Sequence, residues 1–262
     1  MGILSSLLAE PPIRSVVKLG ARFLPVSVRV KNRWNAVDRP QYLGGVLYAA
    51  DQARHEERDA ISVIEFGVAD GHGLLALEAH AAAVERETGV KIYVYGFDSG
   101  AGLPRGIGDH RDHPDRWRPG DYPTDVDALQ AKLTERTTLV LGDVSATVAT
   151  TTLTAPLGFV AFDLDYYSST VPALRILDQP HLRRIALYFD DLDEHYNHRW
   201  AGELLAIEEF NAKSRDLKID RWRGVRAGRP FGDAHWLDSM YLAHDLSAIA
   251  ATRLKRGPVG MG

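Results

Sequence analysis

LGFVAFDLDYYSSTVPAL (residues 157–174) and RRIALYFDDL (residues 183–192) decide the fold of this chain. Each opens as an apolar run rich in β-branched and aromatic residues and then turns acidic. Asp163 and Asp165 follow the first run, Asp190 and Asp191 the second. Runs of this kind, bounded by polar residues, suit fully buried strands of a parallel sheet. Residues 168–181 between them are long enough for the crossover helix of a βαβ unit. Neighbouring parallel strands bring both acid pairs to the carboxyl edge of the sheet, where open α/β folds bind ligands. Carboxylates gathered there repel one another strongly unless a cation lies among them.

The rest of the chain reads as partners for that edge. At 262 residues it is one large domain, or one domain with an N-terminal elaboration. With 45% hydrophobic and 25% charged residues, a sizeable core is available. A net charge of −4 gives no electrostatic footprint for nucleic acid. The absence of cysteine excludes disulfides, thiolate catalysis and Cys-ligated metal sites, and fits a cytoplasmic protein. No apolar run approaches the roughly 20 residues that span a bilayer. In the first 34 residues the basic charges follow the apolar part and no small-residue cleavage pattern is present, unlike a signal peptide. MGILSS matches the myristoylation pattern, a six-residue match that chance supplies easily. Short helices covering the site or packing on another subunit fit residues 1–38, with an amphipathic membrane-surface segment as the alternative.

Residues 39–57 have helical apolar spacing. A strand at 61–66 then runs into a glycine turn, Glu65, Gly67, Gly71 and Gly73 in the pattern E-x-G-x-x-x-G-x-G, and a strong helix over 74–87. Strand, glycine turn and helix N-terminus together offer backbone N–H groups to a ligand. The spacing departs from the G-x-G-x-x-G of dinucleotide folds. A second strand ends at Asp98, where a nucleotide site holds a ribose diol; capping its own loop is the other role open to that residue. Residues 105–127 form a long polar insertion with Trp117 and Tyr122 that reads as a substrate lid. His110 and His113 within it are metal ligands by type and solvated loop residues by frequency. A helix over 127–135, a strand ending at Asp143, a helix over 202–212 and two last strands, within 218–226 and 239–249 and antiparallel to each other, complete the order.

The sequence resembles the class I S-adenosylmethionine-dependent methyltransferases, and within them the macrocin O-methyltransferase family. The likeness is carried by EFGVADGHG (65–73), YGFDSGAGLP (95–104), VAFDLDYYSST (160–170), and YFDDL followed by AIEEF (188–192 and 206–210). It implies an α/β, Rossmann-like, seven-stranded and mostly parallel sheet with an antiparallel last strand and helices on both faces. It also implies an N-terminal helical arm (1–57), a methyltransferase domain (58–262) and a homo-oligomer. Carried over residue by residue, Glu65, Gly67 and Gly71 line the methionine end of the cofactor. Asp98, with Ser99 beside it, holds the ribose hydroxyls, and Asp143 lies beside the adenine. Asp163, Asp190 and Asp191 match the carboxylates that bind a divalent cation, usually Mg²⁺. Two departures stand out: HLRRIAL replaces the Pro-Gly-Gly turn before the fifth strand, and Leu192 stands where a Tyr commonly follows the paired Asp. The second touches the acceptor side, so the acceptor itself is not carried over.

The expected activity is O-methylation of a small-molecule hydroxyl, a sugar or natural-product diol, with no nucleic-acid or membrane partner. Asp163 is the expected ligand and general base. His195, His198 and His235 are assistants by type only. Asp165 reads as the N-cap of the following helix and is left out of the metal set. Two other functions stay in view: a scaffold that kept the fold without turnover, and a nicotinamide-dependent oxidoreductase, against which the glycine spacing counts.

Overall fold

The computed structural model describes residues 12–193 and 197–253. Among these, seven strands form one sheet: β1 (Ala60–Phe66), β2 (Lys91–Asp98), β3 (Thr137–Leu141), β4 (Leu157–Phe162), β5 (His181–Phe189), β6 (Leu217–Arg221) and β7 (Met240–Asp245). Their order is β3-β2-β1-β4-β5-β7-β6, and every pairing is parallel except those of β7, which runs antiparallel to both β5 and β6. From β1 the chain steps outward through β2 to β3, then returns to lay β4 on the other flank of β1. That reversal opens a crevice above the carboxyl ends of β1 and β4.

Side-chain alternation along the strands builds a core on each face. Ile61 and Val63 point to one face, against α3 (Pro40–His55) and α4 (His72–Thr88); Ile64 and Phe66 point to the other. The second face is covered by α6 (Val144–Thr150), α7 (Tyr167–Ala173) and α8 (Gly202–Lys213), preceded in the chain by α1 (Ile13–Phe23), α2 (Val28–Arg33) and α5 (Val126–Gln130). The sequence groups α3 with the N-terminal arm, yet Tyr42, Leu43, Val46, Ala49 and Ala50 lie fully buried against the sheet. Structurally, α3 is one of the helices that cover this sheet.

An aromatic row crosses the sheet just below its carboxyl edge. Phe97, Phe66, Phe162, Phe189 and Tyr241 come from β2, β1, β4, β5 and β7, with successive ring centroids 4.7, 5.5, 4.8 and 5.5 Å apart. Each of the four phenylalanines is followed at once by a residue at the edge: Asp98, Gly67, Asp163 and Asp190. Polar groups therefore begin where a dry, close-packed floor ends, and burial there is costly for any charge.

Three sequence expectations shift in detail. The crossover before β5 is the short α7 continued by a 3-10 turn, Leu174–Asp178, with Pro172 inside the helix. The helix expected over 127–135 is Val126–Gln130, started by the Asp125 side chain accepting from Ala128 N. The last strand stops at Asp245, whose side chain accepts from Ala248 N and starts α9 (Leu246–Ala251).

The arm's first helix is turned opposite to an ordinary amphipathic surface helix. Its cations face the body: Arg14 reaches Asp233 at 3.2 Å, Arg22 reaches Asp38 at 2.9 Å, and Arg14 and Lys18 lie over the Phe231 ring. Its apolar side chains face outward, with Val16 at 68% and Phe23 at 77% exposure. Among the described residues no helix is long and apolar enough to cross a membrane. MGILSS lies outside the described residues.

Candidate active site

A cavity of about 690 Å³ lies above the β1–β4 reversal, within the size range of small-molecule sites. Glu65, Gly67, Asp98, Ser99, Asp143, Asp163, Asp190 and Asp191 all line it. Residues named separately from sequence are thus brought to one place.

The wall begins at the end of β1. Alternation turns Glu65 to the α3 face, where Tyr42 donates from its hydroxyl to Glu65 Oε1 at 2.6 Å. Gly73 makes room for that carboxylate, since a Cβ there would lie 1.9 Å from Oε1. Glu65 is 1% exposed, and its Oε2 has no hydrogen-bond partner. Burial pushes its pKa up to about 8, against the opposing pull of Tyr42 and Arg39. Gly67 has φ +79, and a Cβ on it would strike the Asp163 carbonyl oxygen, so only glycine lets this turn sit on the end of β4. Gly71 is not among the lining residues; it caps α4 in the left-handed region with its open side against Leu129.

Asp98 ties three segments together. Its Oδ2 accepts from Val68 N at 2.8 Å and Ala69 N at 3.1 Å, and its Oδ1 from Gly100 N at 2.6 Å and Thr124 Oγ1 at 3.1 Å. Loop capping, one of the two roles open to it from sequence, is thus observed, and the same residue lines the cavity. Asp143 likewise lines the cavity and caps α6, accepting from Ser145 N and Ala146 N at 2.9 and 3.3 Å. The Ser99 hydroxyl donates to the Gly102 carbonyl at 2.7 Å.

Opposite stands the acid edge. Asp163 follows β4, and Asp190 and Asp191 open a 3-10 turn after β5. Tyr188 donates to Asp190 Oδ1 at 2.5 Å, and Arg39 approaches the same oxygen at 3.8 Å. Asp191 Oδ2 accepts from Asp165 N at 3.1 Å, while Asp191 N donates to Glu203 Oε2 at 3.2 Å. Burial first, then the charges of Asp190, Asp191, Glu65 and Asp165, raise the Asp163 pKa well above the carboxylate range. Burial and Asp190 push Asp165 up to about 7. Glu203, 1% exposed at the start of α8, is raised by burial and then by Asp191 and Asp190. Among the described residues no three His, Asp or Glu side chains are already gathered as the ligand set of a metal ion.

The expected cap on Asp165 is corrected. Asp165 takes φ +59, so α7 starts only at Tyr167 with no side-chain cap, and Asp165 joins the acid edge. The sequence also passes over Arg39, Tyr42, Asp112 and Glu203. Asp112 fastens the lid: 2% exposed, it accepts from Ile107 N at 2.8 Å, Ser168 N at 2.8 Å and Ser168 Oγ at 2.7 Å. The lid so held brings Arg105, Ile107, Trp117 and Tyr122 onto the cavity, with the two aromatic rings edge-on at 6.0 Å. His113 is buried beside His198, ring centroids 5.4 Å apart, and neither they, His110 nor His235 lines the cavity. His195 lies outside the described residues.

No protein-family model matches the chain, and no curated protein matches it. Solved structures do. The chain is similar to CalS11, a calicheamicin methyltransferase, at 20% identity and TM-score 0.50 over 90% of this chain and 93% of that one. It is similar to the O-methyltransferase NovP at 18% identity and TM-score 0.51 over 80% of this chain and 91% of that one.

The raised carboxyls lower stability as pH rises, while His80, His113 and His244, whose pKa values burial lowers, act in the opposite direction. Unfolded, Glu65 ionises near 4.5; folded, near 8. Between those values the folded state holds a proton that the unfolded state has released, so stability falls as pH rises, by about 1.4 kcal/mol per pH unit for each such group. Urea unfolding from pH 5 to 8 is expected to show this decline, shallower in Glu65→Gln. A Glu65→Gln profile parallel to that of the ligand-free wild type contradicts it. The architecture around these groups, seven strands with one reversed and a cavity at the β1–β4 reversal, is the Rossmann-like methyltransferase fold.

Proposed function

We propose that this chain is an S-adenosylmethionine-dependent O-methyltransferase that acts, with a divalent cation, on a hydroxyl of a sugar or other small natural product. One observation carries the reading: a single cavity joins a glycine turn with Asp98 and Asp143 to an edge of mutually repelling acids. The first half suits a nucleoside with a charged tail; the second suits an acceptor oxygen that must lose its proton. The named activities of CalS11 and NovP point the same way.

The residues fit both the cofactor and the cation in chemical type. Glu65 offers a buried acceptor without a partner, and Gly67 and Gly73 hold the backbone close. Asp163, Asp190 and Asp191 are hard oxygen donors, the preference of Mg²⁺, and the charges of Asp190 and Asp191 add to burial in raising the Asp163 pKa. When bound, S-adenosylmethionine supplies the methyl group and the cation acts as a Lewis acid toward the acceptor hydroxyl.

The chain's own work is positioning and proton transfer. Asp98 fixes the glycine turn against the second loop. The lid, pinned through Asp112 to the start of α7, lays Trp117 and Tyr122 over the acceptor side and shields it from water. Asp163, at the end of β4 on the cavity wall, takes the hydroxyl proton at a carboxylate oxygen. Asp163→Asn and Asp191→Asn are each expected to lower methyl transfer by about 10³-fold or more, with S-adenosylhomocysteine affinity held within about threefold by calorimetry. Near-wild-type turnover of either variant on an acceptor that wild type methylates in a Mg²⁺-dependent way contradicts the assignment.

Self-association through α1 belongs to the same proposal. The outward face of Val16, Leu19 and Phe23 is apolar, while the helix's cations are paired to its own body, which favours a second copy over an anionic membrane. Light scattering is expected to give a dimer or larger for wild type and a monomer for Val16→Asp/Phe23→Asp; a monomeric wild type removes this part. A cytoplasmic location and small-molecule rather than nucleic-acid substrates complete the reading.

A further inference from the structure

A second cavity, of about 520 Å³, shares no lining residue with the one above the acid edge. One side of it is a face of α3, where Gly44, Leu47, Tyr48 and Asp51 recur at helical spacing. The other sides are α2 and the connection from β6 to β7, from Trp222 to Arg229. Its volume lies in the range of small-molecule sites.

The charge here is the inverse of that at the carboxyl edge. Arg29, Arg33 and Arg229 line the groove, and Asp51 is the one acid among its described lining residues. Arg29 already holds both Asp51 oxygens, at 2.8 and 2.5 Å. Neither of the other two guanidiniums pairs with a carboxylate among the described residues. Arg229 donates to Val225 O at 2.9 Å, Asn32 O at 2.6 Å, and Asn35 Oδ1 and Asn32 Oδ1 at 3.0 Å each. All four acceptors are neutral, and burial pushes the Arg229 pKa down to about 10. Arg33 uses Nε on the Gly228 carbonyl at 2.9 Å, which leaves its two Nη groups for a bidentate acceptor. A half-buried cation held by neutral oxygens alone carries a desolvation cost that an oxyanion relieves.

The same groove carries a ring surface. Tyr48 and Trp222, both half-buried, meet with centroids 4.6 Å apart and planes tilted by 59°. Gly224 and Gly228 keep the facing connection free of side chains, and a Cβ on Gly228 would meet nothing within 4 Å. A bare inorganic anion makes no use of the rings, and an uncharged ring leaves the guanidiniums as they are.

We propose that this groove binds a small aromatic oxyanion, a phosphate or carboxylate on a flat ring. Arg33 and Arg229 take the oxyanion, and Tyr48 and Trp222 pack against the ring. The site is separate from the methyl-transfer cavity and does not depend on the cofactor reading.

Calorimetric titration with 1-naphthyl phosphate, 1-naphthoate, 1-naphthol and inorganic phosphate tests it. At least one of the two aromatic anions is expected to bind wild type about tenfold or more tightly than either 1-naphthol or inorganic phosphate. The tighter of the two identifies the oxyanion. Arg33 is exposed, so its variants keep the packed core. Arg33→Gln is expected to lose about tenfold on that ligand, with Arg33→Lys between. Tyr48→Ala is expected to lose about fivefold. Failure of wild type to bind either aromatic anion at about 5 mM overturns the site. Inorganic phosphate binding as tightly as the aromatic anions overturns it too, leaving an unselective cationic surface. Affinity unchanged in either Arg33→Gln or Tyr48→Ala places the binding elsewhere and also overturns it.

Discussion

Like charge at the carboxyl edge is the constraint on which the rest of this structure depends. Asp163, Asp165, Asp190, Asp191 and Glu203 meet above a floor of stacked aromatic rings, with Glu65 close by. Two unit charges about 4 Å apart in a protein-like medium cost about 4 kcal/mol, a large share of the 5–15 kcal/mol that holds a domain together. Such a set persists only with protons or a positive charge shared among its members. Among the described residues, Arg39 stands near Asp190, and the bonds donated by Tyr188, Asp165 N and Asp191 N are neutral. A fold that spends stability in this way at one rim is a fold with a use for the rim.

The remaining architecture follows from holding that edge beside a nucleoside-sized space. Gly67 lets β1 end against β4, Asp98 stitches the glycine turn to the next loop, and Asp112 ties the lid to α7. The last two attachments use a carboxylate accepting from backbone or hydroxyl donors, so acidic residues here do two different jobs. Those that accept several hydrogen bonds act as fasteners. Asp163, Asp165 and Glu203, set among like charges, carry raised pKa values and belong to the chemical edge.

What the sequence makes legible divides along the same line. The strands, their order of appearance and the acids that end them can be read because burial on both faces leaves continuous apolar runs with abrupt polar ends, as in VAFDLD and LYFDDL. The glycine turn is legible because a strand and a strong helix flank it. Tyr42 is not: it bonds Glu65 from 23 residues upstream, and helical periodicity says only that it is buried. Arg39 is hidden for a related reason, since nothing in Asp-Arg-Pro announces a left-handed arginine turned toward a sheet edge. Glu203 is one of several acids in its helix, and only packing shows that it lies inside. Asp165 misleads because a cap is the ordinary role before a helix, whereas a left-handed turn at that residue delays the helix and turns the carboxylate to the cavity.

Cation binding at the edge is the claim from which the enzymatic reading descends. Mn²⁺ titration followed by electron paramagnetic resonance, with S-adenosylhomocysteine present, measures it without any acceptor. The account predicts one Mn²⁺ per chain, displaced by Mg²⁺ and lost in Asp163→Asn and Asp191→Asn. Binding that survives in both variants, or no binding at millimolar Mn²⁺ by protein that holds S-adenosylhomocysteine, contradicts it.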